Sequence, residues 1–162
     1  MNKSLLIAAL LLSASLVHAQ RARHEDWMVD LSSSTYSEAY TTNDSNSVLG
    51  IYCMDKCMAY VDPNISCDVS SKYSLFVNSS MGAVAMDTTC VHLKDRQIRV
   101  LDKLDLILEQ SKSGDRIGFA FALKDGSFKV VRFSMNGSGT AIRRALNHII
   151  EKNRTGTRDR VL

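Results

Sequence analysis

Four cysteines, Cys53, Cys57, Cys67 and Cys90, all lie downstream of a segment built like an export signal, and this combination constrains the chain more than any other feature. Lys3 supplies a positive start, residues 5–12 (LLIAALLL) an apolar core, and Val17-His18-Ala19 a small-residue cleavage pattern. The apolar run falls short of the roughly 20 residues that span a bilayer, and no later stretch is apolar enough to stop transfer. The expectation is cleavage after Ala19, no transmembrane segment, and a periplasmic or secreted protein. Residues 1–19 read as signal peptide, 20–152 as one disulfide-stabilised domain, and 153–162 as a basic flexible tail.

In an oxidising compartment an even cysteine count reads as two disulfides, with three possible connectivities. The segments 48–52 and 58–61 look like strands joined through Met54-Asp55-Lys56. A hairpin of that kind sets Cys53 opposite Cys57, within disulfide reach, and leaves Cys67 and Cys90 for each other. A four-thiolate zinc site is the alternative, but a C-x3-C pair with two single distant partners is poor zinc spacing. No metal and no cofactor is expected.

On both sides of the cysteines the chain alternates between strand patterns and turns. Residues 20–26 are polar and read as frayed, 27–31 as a first strand around the single tryptophan, and 32–47 as a polar edge strand or a surface loop. Hairpins follow at 73–77 with 83–86, and at 117–123 with 128–133, the latter turning through Asp125-Gly126, a strong hairpin signal. Leucines and Ile107 at helical spacing predict a helix over 101–111. Ala141, Ile142, Ala145, Leu146, Ile149 and Ile150 form one apolar stripe of an amphipathic helix over 140–152. Strands first and helices late imply an α+β, mainly β domain: an antiparallel sheet or small β-sandwich with one internal and one C-terminal helix.

Charge is small overall and uneven. Without residues 1–19 the chain carries 19 basic and 17 acidic side chains, too little excess for a nucleic-acid binder. From residue 140 on there are six Lys or Arg against Glu151 and Asp159. Arg144, His148 and Lys152 recur at helical spacing, with Arg143 and Arg154 beside them, and this ridge is the candidate binding surface for an acidic partner. The segment carrying Tyr36 and Tyr40 is a second possibility. Catalytic signals are weak. His92 has Asp87 and Asp95 nearby in sequence, but no G-x-S-x-G elbow supplies a nucleophile. Asn136-Gly-Ser-Gly-Thr140 precedes a helix, where Ser138 or Thr140 reads as a cap rather than part of a phosphate loop.

Residues 117–123 (IGFAFAL), then Phe133-Ser-Met-Asn-Gly137, then 141–146, resemble the closing part of the invasion-associated locus B family of bacterial periplasmic proteins. The signal peptide, the early Trp27 and the paired cysteines are also similar, whereas the 101–111 helix and the basic tail depart from the pattern. The resemblance implies a β-rich periplasmic fold with no catalytic residues to carry over. The resulting expectation is a non-enzymatic binding or accessory protein of the envelope or of host interaction. Its partner would be an envelope or secretion-system protein or an anionic envelope component. Two rivals are a secreted enzyme inhibitor of the lysozyme-inhibitor kind, presenting a rigid loop, and a small hydrolase using His92.

Overall fold

The computed structural model describes residues 21–158, with side chains up to residue 154. The expected signal segment 1–19 and the last four residues of the expected tail lie outside the described residues. Ten strands form: β1 (Arg21–His24), β2 (Trp27–Asp30), β3 (Ser37–Thr42), β4 (Val48–Cys53), β5 (Cys57–Asp62), β6 (Lys72–Ser79), β7 (Gly82–Leu93), β8 (Arg96–Leu101), β9 (Arg116–Ala122) and β10 (Phe128–Ser134). Two helices accompany them, α1 (Leu104–Ser113) after β8 and α2 (Ser138–Arg158) after β10. The class is α+β and mainly β, as the sequence implies.

All ten strands join one antiparallel sheet in the order β1-β2-β3-β4-β5-β8-β7-β6-β9-β10. The first five strands are a simple meander. The chain then crosses over two strand positions before β6, so that β8 comes back beside β5 and β9 pairs with the free side of β6. The crossover is fastened to β7: Cys67 is bonded to Cys90, and the Ser70 and Cys90 amides donate to the Cys90 and Ser71 carbonyls at 2.8 and 2.9 Å. The other disulfide, Cys53–Cys57, joins directly opposed residues of β4 and β5 whose Cα atoms are 4.0 Å apart. Both pairings are those that the hairpin spacing favours.

The sheet curls, because its two ends are tied together. The Trp27 indole donates to the Ser134 carbonyl at 2.9 Å, and the Asn43 side chain donates to the Arg132 carbonyl at 3.2 Å. The inner faces of the two halves enclose the core. Leu49, Ile51, Ala59 and Val61 come from one half, and Leu75, Phe119, Phe121 and Phe133 from the other. Alternation decides which residues point inward. In β6 (KYSLFVNS), Leu75 and Val77 are buried while Ser74, Phe76 and Asn78 are exposed. α2 lies across the inner face of β2, β3 and β4, with Ala141, Ile142, Ala145 and Ile149 buried beneath it. Ser37 on β3 fixes its position by donating to the Ala145 carbonyl at 2.7 Å. Gly137 admits the approach of α2: its φ is 83°, and a Cβ there would stand 2.0 Å from the His24 carbonyl oxygen.

Five expectations are corrected. Residues 21–24 are not frayed: they pair with β2, and Ala22 packs against the core. The polar segment 32–47 contains β3, an interior strand, because Ser37 and Thr41 bury their hydroxyls against the Ala145 and Asp26 carbonyls. The internal helix begins at Leu104 rather than 101, since Leu101 completes β8 with its side chain in the core. α2 runs to Arg158, taking in residues expected to be tail, while Ile150 of its expected stripe is 49% exposed. Ser138 is not an acceptor cap; its hydroxyl donates to the Met135 carbonyl.

Candidate functional site

The polar side of α2 follows from its packed side. With Ala141, Ile142, Ala145 and Ile149 turned to the sheet, Arg143, Arg144 and Arg154 are exposed, and His148 and Lys152 are half-buried along its flanks. All five residues of the expected ridge therefore share one helix, and the three arginines face solvent. Arg144 also reaches the edge of the sheet, its guanidinium donating to Nε2 of His24 on β1 at 2.9 Å. Ile150 and Glu151 are exposed on the same helix.

Tyr36 and Tyr40 lie on the opposite, outer face of the sheet, within a second apolar cluster of Val48, Tyr52, Tyr60, Leu93 and Ile98. Tyr36 stacks on Tyr52 with ring centroids 5.1 Å apart, and the Lys94 ammonium sits 4.3 Å over the Tyr36 ring. At its centre is a buried carboxylate that the sequence pattern did not reveal. Glu38 is 4% exposed; it accepts from Lys94 at 3.0 Å and Arg96 at 3.5 Å, and from the Tyr60 hydroxyl. Burial, then the Glu38 charge and hydrogen bond, hold the Tyr60 hydroxyl well above the ordinary tyrosine range. Burial alone would lower Lys94, but the Glu38 hydrogen bond and charge outweigh it and raise the ammonium. A carboxylate enclosed by two cations and a phenol is a structural knot rather than a proton donor or acceptor for a substrate.

Gly50 makes that knot possible. The Tyr60 ring crosses directly over it, and a Cβ at position 50 would stand 2.7 Å from three ring and hydroxyl atoms of Tyr60. The ring thus lies flat on the strand, with its hydroxyl delivered to Glu38.

Two further surfaces bear on function. Met54, Asp55 and Lys56 are all exposed at the tip of the β4–β5 hairpin, Met54 by 49%, and the Cys53–Cys57 bond closes the loop beneath them. On the outer face of β6, β9 and β10, exposed Phe76 and Val130 flank Ala120 of β9 in the strand register. Gly118 and Ala120 leave a trough of about 610 Å³ between them, bordered by Arg116 and Arg132. The alternation of small and large residues in β9 (RIGFAFA) is the signal that marks it. His92, by contrast, is exposed in an open depression with Ser66, Asp62 and Asp95, and among the described residues it makes no hydrogen bond to a serine or carboxylate. Among the described residues no group of three or more His, Cys, Asp or Glu is placed to hold a metal ion. No helix among them is long and apolar enough to cross a membrane.

No protein-family model and no curated protein matches the chain. Among solved structures, the crystal structure of invasion associated protein B from Bartonella henselae is similar, with a TM-score of 0.53 at 14% sequence identity over 78% of this chain and 96% of that one. At this identity the likeness is one of fold, a distant relationship. The resemblance drawn from residues 117–146 is met at that level.

Proposed function

We propose that this is an exported, non-enzymatic binding protein of the bacterial periplasm, and that it holds an acidic envelope protein on the basic face of α2. The carrying observation is that Arg143, Arg144 and Arg154 remain exposed on one helix once the core is complete, with Ile150 exposed on the same helix. Two disulfides and the signal-like N-terminus support export. The shared fold with a protein described as invasion associated is compatible with a host-interaction role. A cationic helix that also exposes an apolar residue suits a protein surface, where apolar contact supplies affinity and charge supplies rate and orientation. The test is capture from envelope extract with the wild-type chain and with Arg143, Arg144, Lys152 and Arg154 replaced by Gln. The wild type should retain a partner that salt releases, and the variant should not, at unchanged melting temperature. Equal, salt-insensitive capture by both would place the working surface elsewhere.

A second reading rests on the disulfide-closed loop 54–56. Inhibitors of enzymes present short, rigid, exposed segments, and Met54 occupies such a segment here. Stoichiometric retention of one hydrolase, lost in Met54→Asp and kept in the four-Gln variant, would favour this reading over the first.

A further inference from the structure

Among the described residues, Arg99 is the one with a buried side-chain nitrogen that has no hydrogen-bond partner. It lies in the middle of β8, on the inner face with Leu101, and is 5% exposed. Its guanidinium is held between two rings, with its carbon 4.3 Å from the Tyr73 centroid and 5.3 Å from that of Phe121. Among the described residues it forms no hydrogen bond and no ion pair, and its Nε is fully buried without an acceptor. A buried cation in that state is expensive, and proteins retain one where something else completes it. Glu38 shows the usual solution in the same molecule, with a buried charge fully partnered.

Arg99 also lines a cleft of about 430 Å³ at the end of the core that the helices leave uncovered. Ile65, Ala122 and Leu123 form its apolar walls, and Asp68 and Lys124 lie on its lining as well. The loop wall is rigid: Cys67 is bonded to Cys90, and its amide donates to Gln97 Oε1 at 3.2 Å, which turns the donor end of that amide side chain free for other use. Asp68, Arg99 and Lys124 together give the lining one net positive charge.

We propose that this cleft binds a small monocarboxylic acid with an apolar body, whose carboxylate supplies the acceptor that Arg99 lacks. A guanidinium presents planar donors that match a carboxylate, and the two rings already fix its plane, so little ordering remains to be done on binding. The apolar walls take the hydrocarbon part. A dianion such as phosphate would overshoot the single charge and meet Asp68. Burial pushes the Arg99 guanidinium below its usual range, with Tyr73 acting weakly against this, as expected of a cation short of its counterion.

Titration of the 15N-labelled protein with 4-methylpentanoate should give saturable shifts at the amides of residues 65–68 and 122–124 and at the Arg99 Nε–H resonance. A dissociation constant below about 1 mM is expected. The neutral 4-methylpentanol should give none, and inorganic phosphate should bind at least tenfold more weakly. The tripeptide Gly-Gly-Leu and its C-terminal amide separate the sources of the carboxylate. If the free tripeptide binds and its amide does not, a chain end is admitted; if neither binds while 4-methylpentanoate does, a free acid is assigned, and both outcomes support the site. Arg99→Met should fold at least as stably as the wild type and lose the shifts. Absence of saturable shifts with every monocarboxylate, or shifts that survive in Arg99→Met, would overturn the proposal.

Discussion

The indole N–H of Trp27 on β2 reaches the Ser134 carbonyl at the end of β10, 2.9 Å away across 107 positions of sequence, and so fastens the two ends of the curled sheet. Trp27 is fully buried. Trp27→Phe removes the donor and leaves both a void and a part-buried carbonyl without its partner. A loss of about 2–4 kcal/mol in urea unfolding is expected. Hydrogen exchange should quicken first in β1, β2 and β10. Uniform quickening across the sheet would mean that the bond closes nothing in particular.

Glu38 stands to Lys94 and Arg96 as a shared anchor, and its removal strands more than its partners' removal does. Glu38→Ala should cost about 3–5 kcal/mol, since it leaves a buried phenol and the Arg96 charge uncompensated. Lys94→Gln should cost about 1 kcal/mol or less, because the Lys94 side chain is 38% exposed and its pairing is screened. A larger loss for Lys94→Gln than for Glu38→Ala would reverse this assignment.

The Tyr60 hydroxyl gives the same knot a signature in alkali. Its folded pKa is raised by burial first and by Glu38 second, so the folded chain keeps this proton to higher pH than the unfolded chain does. The contribution is complete below the unfolded value of about 10 and is lost as pH rises beyond it. Stability should therefore fall above about pH 10, and Tyr60→Phe should remove that part of the slope. An unchanged slope in Tyr60→Phe would show that other groups carry it.

Gly50→Ala sets a methyl group 2.7 Å from the Tyr60 ring. A loss of about 1–3 kcal/mol is expected, and Tyr60→Leu should relieve part of it in the double variant. Strictly additive losses would show that the two positions do not interact.

On α2, Ile142→Asp should cost about 4 kcal/mol or more, because an unpaired charge enters the core at a residue only 2% exposed. Ile150→Asp should change stability by no more than about 0.5 kcal/mol. It should nevertheless weaken partner capture if the basic face is the docking surface. Similar melting of both variants would contradict the packing of this helix.

Features set by neighbours in sequence were readable in advance. The opposed cysteines of β4 and β5, the turn at Asp125-Gly126 and the apolar stripe of α2 each depend on spacings of a few residues. Features set by distant partners were not. β1 (RARH) has no apolar signal and forms because β2 and α2 lie beside it. β3 reads as a polar edge strand or a surface loop because its buried groups are satisfied by Ala145, Lys94 and Arg96, more than fifty positions away. Arg99 looks like an ordinary polar residue of a strand, since nothing local shows that Tyr73 and Phe121 will close around it. The basic ridge was legible as composition, but its contact with His24 depends on β1 being a strand at all.

The position of α2 also dictates when this chain can become itself. Among the described residues the helix is the last element along the chain, yet it covers the inner face of β2, β3 and β4, which are made among the first. Until residues 138–158 arrive, an apolar surface made from the earliest strands has nothing to rest against, and the bond from Ser37 to the Ala145 carbonyl cannot form. Assembly therefore waits on contacts between the first strands and the last helix, a late and largely non-local closure that is slow by its nature. The element made last thus decides when the strands made first acquire a finished core.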